Sequence, residues 1–240
     1  ETIVKNLTVK DAIDSVEEAF GKLAAGKVEV PMPMHIGIEE SGTAGPGDCH
    51  IKGGYVIGTK TFTVKLACVS FYKNLEKGLP AGSGVFVVVD AVTGAPLGIF
   101  QENRAMTDLR TGAAGAVALK YTTPNDDKNV IGFIGTGAIA RNMARAAAAV
   151  RPKFKGVVFG FDGAESFAND MENELGVPFS VAQSSSALCG QANVIFTQTP
   201  GSTTVLQLDD LRSGTTIIAS GSDQVRLVLL LVLRPLSGYP

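Results

Sequence analysis

The pattern of apolar and polar positions divides the chain into two parts with different periods. Residues 8–25 keep helical spacing, with Ile13, Val16, Phe20 and Leu23 recurring on one face. Thr8 fits the N-cap of that helix with Asp11 three residues on, and Gly26 stops it. Residues 28–38 are extended but interrupted by Pro31 and Pro33, which suits an edge strand. The Gly-, Ser- and Pro-rich residues 39–48 read as a loop. Strand signals follow around residues 50–52 and 59–70. In the second, Phe62, Val64, Leu66 and Cys68 alternate onto one face and Thr61, Thr63 and Lys65 onto the other. Gly78-Leu79-Pro80 turns the chain. Residues 85–90 and 95–101, joined by Ala91-Val92-Thr93-Gly94, form a hairpin pattern. This part therefore predicts a mainly antiparallel sheet with a helix.

From residue 107 to 121 the period is helical again, and one face carries only Gly112, Ala113, Gly115, Ala116 and Ala118, small enough for very close packing. The polar residues 122–127 break the helix and predict a domain boundary. Beyond them the pattern is that of an α/β unit: a short apolar run at 130–134, then Gly135-Thr136-Gly137-Ala138-Ile139-Ala140, then an alanine-rich helix through Val150. A strand, a tight turn and a helix in that order make the first half of a dinucleotide-binding βαβ unit. Gly135 can adopt the angles of a sharp turn, Gly137 has no Cβ to keep a pyrophosphate away, and Ala140 lets the helix approach its strand. The helix start offers free N–H groups to phosphate oxygens. A second apolar run at 156–161 ends in Asp162, where an acid can bind ribose hydroxyls and disfavour a 2′-phosphate. The plainer reading of Asp162 is a turn or N-cap residue. A helix over 164–175 and strands near Phe179, at 194–199 and at 215–219 complete the pattern, with no internal repeat.

Composition narrows the function classes. The chain has 240 residues, ample for a large core, and a net charge of only −2, so nothing in its charge favours nucleic acid or an anionic membrane. The longest apolar run, residues 227–233, is too short to span a bilayer. Cys49, Cys68 and Cys189 are far apart in sequence, and with His35 and His50 as the whole histidine complement a zinc site is not expected. The odd number of cysteines, without a signal-like N-terminal segment, leads to the expectation of a cytoplasmic setting.

Several short stretches carry a resemblance. They are Lys65 with Asn74 and Gly78-Leu79-Pro80; Asp90-x-x-Thr93-Gly94-x-Pro96-Leu97; Thr107-x-x-Arg110-Thr111-x-Ala113-Ala114; Gly135-Thr136-Gly137-Ala138; Thr197-x-Thr199-Pro200; and Gly221-Ser222-Asp223. Together they resemble the ornithine cyclodeaminase/mu-crystallin family of NAD(P)-dependent imine and amino-acid oxidoreductases, over roughly residues 30–223. The resemblance implies an α/β fold in which a Rossmann domain, 125–223, accompanies a substrate-binding and dimerisation domain, 1–124. It gives NAD to Gly135, Thr136, Gly137, Ala138, Ile139, Asp162, Thr197, Thr199 and Ser222. It also gives the substrate carboxylate to Lys65 and Arg110, with Lys65 and Asp223 catalytic and Asp223 acting as the acid–base group.

The activity implied is cyclodeamination of L-ornithine to L-proline and ammonia, through hydride transfer to and from NAD. Ketimine or pyrroline-carboxylate reduction, alanine-type dehydrogenation and a catalytically silent mu-crystallin-like binder remain open. The partners implied are a small amino acid or cyclic imine and a second copy of the chain, a homodimer. Taken alone, Arg110 at the start of its helix suits an anion but could also pair with Asp108 or Glu102, Lys65 reads as a solvent-facing strand lysine, and Asp223 as a loop acid. The sequence departs from the family at Met34-His35, where many members carry an arginine, and in residues 224–240, which read as a divergent or truncated C-terminal segment.

Overall fold

The computed structural model describes residues 6–41, 45–124, 129–199 and 205–220. Ser222, Asp223 and residues 224–240 lie outside the described residues. Two compact units are distinguished: Glu18–Thr107, and the residues before and after it in the chain.

The unit Glu18–Thr107 is built on an antiparallel sheet. Helix α1 (Val9–Ala24), which runs into this unit, opens as its sequence predicts. The Thr8 hydroxyl accepts from the Asp11 N–H at 3.1 Å, and the Asp11 carboxylate accepts the Thr8 N–H at 3.0 Å. Gly26, at φ +66°, ends it. Strands β1 (Val28–Glu29) and β2 (Met34–Ile38) both border the long β3 (Gly47–Val56), and Pro31 and Pro33 fall in the break between them. This is the edge position that proline tolerates. The order then continues through β4 (Thr61–Val69), β5 (Ser83–Asp90) and β6 (Pro96–Glu102). The β5–β6 turn is held by the Asp90 carboxylate, which accepts the N–H groups of Val92 and Thr93 at 2.8 and 2.7 Å.

The register sets two unlike faces. Directly paired residues of antiparallel strands share a face, so Met34, Ile51, Leu66 and Val85 form one row across four strands. On the opposite face Lys65 pairs with Phe86, and Glu102 lies opposite Gly84. The alternation in β4 is as expected, but its burial is not. Leu66 is 36% exposed, whereas the Lys65 side chain is only 13% exposed. The reading of Lys65 as solvent-facing is therefore corrected: its face of the sheet carries buried polar groups.

The other unit contains a five-stranded parallel sheet in the order β11-β10-β7-β8-β9. Its strands are β7 (Val130–Ile134), β8 (Lys155–Phe159), β9 (Phe179–Val181), β10 (Val194–Thr197) and β11 (Thr216–Ala219). Helices α3 (Ala138–Val150), α4 (Ala164–Leu175) and α5 (Ser185–Cys189) connect them. Both faces are covered, as the unbroken apolar runs require. Phe133, Phe196, Phe167, Met143 and Met171 fill one side, and Ile134, Val157, Leu188 and Ile195 the other.

Helix α2 (Ala105–Thr122) places its small face here. A Cβ on Gly112 would lie 2.6 Å from the Asn142 carbonyl oxygen of α3, and one on Gly115 would lie 3.0 Å from the Phe196 ring. That contact is one reason that residues from Asp108 onward group with the parallel sheet among the compact units. The helix also begins two residues before the expected Thr107. Arg110 therefore stands in its second turn, beyond the part of the helix where the dipole acts most strongly.

Candidate active site

The parallel sheet changes direction of winding beside β7, because the chain passes from β7 to β8 on one side and later places β10 on the other. Open α/β sheets bind ligands at the carboxyl ends of strands where this happens. A cleft of about 550 Å³ opens there, lined by Gly135, Thr136, Gly137, Phe161, Asp162 and Thr199 among others.

Local chemistry explains its shape. Gly135 has φ +114°, an angle that side-chain-bearing residues rarely adopt, and its N–H donates to the Phe159 carbonyl at 2.9 Å. Gly137 precedes the first turn of α3 and makes no side-chain cap, so the helix N–H groups are left to a ligand. A Cβ built on Gly137 meets nothing within 4 Å, which means that the space it would take is open cleft. Ala140 is fully buried where α3 meets the core. The Thr136 hydroxyl donates to the Asp162 carbonyl at 2.8 Å and ties the glycine turn to the turn after β8. Gly163, not Asp162, is the N-cap of α4. The Asp162 side chain, on the lip of the cleft, is thus not used as a helix cap.

A dinucleotide fits these residues: an uncapped helix start for a pyrophosphate, open space at Gly137, and an acid on the β8 side for a ribose. Of the other residues expected to bind it, Ala138 and Ile139 form the first turn of α3 and Thr199 lines the cleft. Thr197 is fully buried in β10 and is not among the lining residues. Gln198 lines the cleft instead, and its side-chain amide donates to the Gly135 carbonyl at 3.3 Å. Sequence reasoning missed Gln198, Phe161, Ser185 and Val205. The signal for Gln198 was its place just past the apolar run of β10, at the carboxyl end of a parallel strand.

In the antiparallel unit, Lys65 lies in a polar chain of its own. Its ammonium donates to the Thr107 hydroxyl at 2.5 Å, stands 3.6 Å from the Glu102 carboxylate, and lies over the Phe86 ring at 5.0 Å. The Thr107 hydroxyl donates in turn to Glu102, which also accepts the Thr107 N–H at 3.0 Å. The Glu102 side chain is 3% exposed. A buried carboxylate that both caps a helix start and neutralises a lysine fixes the direction of that ammonium. Glu102 is a buried carboxylate and not a surface one. Gly84 makes room for it: a Cβ there would come within 3.5 Å of the Glu102 carboxylate and 2.8 Å of the Leu66 carbonyl oxygen. Arg110 is exposed on α2. His35 bonds Asp48 at 2.8 Å, and its ring lies 4.9 Å from that of His50. Among the described residues no group of three or more His, Cys, Asp or Glu is placed to hold a metal ion. No described helix is long and apolar enough to cross a membrane.

Residues 1–230 match the Ornithine cyclodeaminase/mu-crystallin family. An uncharacterized cyclodeaminase of Sinorhizobium fredii is 30% identical over 216 residues, covering 89% of this chain and 63% of that protein. Among solved structures, the Thermococcus litoralis Δ1-pyrroline-2-carboxylate reductase in complex with NADH and L-proline is 30% identical with a TM-score of 0.81, covering 90% of this chain and 65% of that one. An archaeal alanine dehydrogenase dimer with bound NAD is 27% identical with a TM-score of 0.78, covering 89% and 63%. The chain thus spans less than two thirds of the length of these relatives.

Proposed function

The chain belongs to the ornithine cyclodeaminase/mu-crystallin family, and from that premise we propose that it is an NAD-dependent oxidoreductase of an α-amino acid or its imine, with cyclodeamination of L-ornithine as its leading reaction. The observation that supports this most is the cleft at Gly135–Gly137, with an uncapped helix start on one side and Asp162 on the other. NAD supplies hydride acceptance and donation at the substrate α-carbon. The residues of the chain do the rest. Lys65, aimed by Thr107 and Glu102, binds the substrate carboxylate. Arg110 adds a second cation with a planar fork suited to a carboxylate. Asp223, the family's acid–base residue, takes the proton from the attacking amine or water. L-Ornithine then gives L-proline and ammonia with no net change in the cofactor. Reduction of a cyclic imine is the second reading, favoured by the likeness to the Thermococcus litoralis reductase across 90% of this chain.

The chain acts in this reading as a cytoplasmic homodimer. Met34, Ile36, Leu66 and Ile99 lie on one face of the antiparallel sheet with 36% to 70% of their surface exposed, which suits a second copy.

The test is ammonia release from L-ornithine with sub-stoichiometric NAD. Ammonia and proline without net NADH support cyclodeamination. NADH binding without ammonia, followed by turnover of a cyclic ketimine, moves the reading to imine reduction, and binding without any turnover makes the protein a silent binder. Asp223→Asn should abolish turnover and leave NADH binding intact; surviving turnover would remove Asp223 from the acid–base role.

A further inference from the structure

Cys49 and Cys68 have no part in the catalytic reading, although their row lies on the apolar sheet face offered above to a second copy. They lie on adjacent antiparallel strands and are direct register partners, in a row that runs Ile36, Cys49, Cys68, Ser83 across four strands. Both are free thiols. Register partners point to the same face, and their Cα atoms stand about 4.5 or 5.5 Å apart depending on the type of pair. Either value falls within the ~4.4–6.8 Å between Cα atoms that a disulfide spans, so the pair is placed for one. The Cys68 thiol is pushed above its ordinary value by burial and next by the Cys49 thiol beside it. The register brings both side chains to one face as direct neighbours. Cys49 is 8% exposed, and Cys68 is the more open of the two.

We propose that Cys49 and Cys68 form a cross-strand dithiol that a peroxide converts to an intramolecular disulfide, with Cys68 as the attacking residue and Cys49 as the resolving one. The Cys68 thiolate attacks one peroxide oxygen; the O–O bond breaks, water leaves after protonation, and Cys68 becomes a sulfenic acid. The Cys49 thiol then attacks the Cys68 sulfur, the S–S bond forms, and a second water carries away the hydroxyl and the Cys49 proton. Two thiols are oxidised by two electrons and one hydrogen peroxide is reduced to two waters. Because the reactive form is a thiolate whose pKa is raised, the reaction is slow at neutral pH and quickens as pH rises. Cys189 does not compete: it is buried, and burial first and Asp210 next push its thiol up to about 11. The pair lies on the sheet face opposite Lys65, so this chemistry is independent of the catalytic reading.

The test uses the full chain treated with hydrogen peroxide, followed by intact mass under non-reducing conditions and thiol counting after denaturation. The expected result is loss of two hydrogens and a fall from three thiols to one, reversed by a dithiol reductant. Cys49→Ser should stop at a sulfenic acid on residue 68, trapped by dimedone, and Cys68→Ser should lose most of the peroxide reactivity. Ile99→Glu, which opens the apolar face, should react at least as fast as the unaltered chain. Higher oxidation without hydrogen loss in both the unaltered chain and Ile99→Glu would overturn the proposal. So would equal peroxide reactivity of the two cysteine variants.

Discussion

The two sheets use apolar residues in opposite ways. In the parallel sheet both faces are sealed by helices, so Phe133 and Ile134, adjacent in β7, are each almost fully buried. In the antiparallel sheet neighbours in β4 part company: Leu66 is half-buried while Lys65 is held in a buried polar chain. A strand covered on both sides needs only to be apolar, and stability is its main product. A strand with one open face and one polar face can carry a charged group at a defined angle and still present apolar surface to a partner. The first sheet is a platform for the cleft at its strand ends; the second places chemistry on the sheet itself.

The comparison breaks most sharply at its apolar extremes. Phe133→Ala removes a fully buried ring stacked on Phe196 at 5.5 Å. It should cost about 3–5 kcal/mol, and NADH binding should fall with the lost stability. Ile99→Ala, at a site 70% exposed in the single chain, should change the unfolding free energy of the monomer by less than about 0.5 kcal/mol. Chemical denaturation of both variants measures the contrast; equal losses would mean that the two sheets do not differ as described. Next in size is Glu102→Ala, which leaves the Lys65 ammonium without its carboxylate and the start of α2 without an acceptor. A loss of about 3 kcal/mol is expected, with Glu102→Asp recovering part of it. Denaturation with substrate KM in parallel reads it, because a Lys65 that has lost its aim raises KM before it changes kcat.

The smallest effect is one of pH. The Thr93 N–H, and next its hydroxyl, hold the Asp90 carboxyl below its ordinary value of 3.8. A depressed carboxyl contributes stability that is present above the unfolded value and is lost as pH falls through the folded one. Acid titration of the melting temperature should therefore show Asp90→Asn converging with the unaltered chain only below pH 3.8, with a small gap above it. A gap that widens in acid would mean the turn is held by other groups.

These contrasts also mark how far the sequence could be read. The β7–turn–α3 unit was legible because all of its determinants are local: an apolar run, Gly135, Gly137 and Ala140 within eleven residues. The small face of α2 was legible for the same reason, although its consequence was not. Gly112 and Gly115 let that helix approach α3 and Phe196 closely, and residues from Asp108 onward group with the parallel sheet. The antiparallel face was harder. Alternation says that Lys65 and Leu66 point opposite ways, but it does not say which side holds polar partners. Those partners, Glu102 and Thr107, lie about forty residues along the chain and are met only through the β4–β5–β6 register. Thr197 and Gln198 show the limit at a strand end: β10 is buried throughout and ends at Thr197, and the next residue, Gln198, lines the cleft.

The central claim is that the cleft beside Gly137 holds a nicotinamide dinucleotide. NADH fluorescence titration tests it most directly, since the chain has no tryptophan to obscure the signal. The unaltered chain should bind NADH. Gly137→Val, whose new side chain meets no protein atom at its Cβ and enters the cleft, should keep its melting temperature and bind at least about tenfold more weakly, a loss of roughly 1.4 kcal/mol. Equal NADH affinity in the two folded proteins would contradict the account.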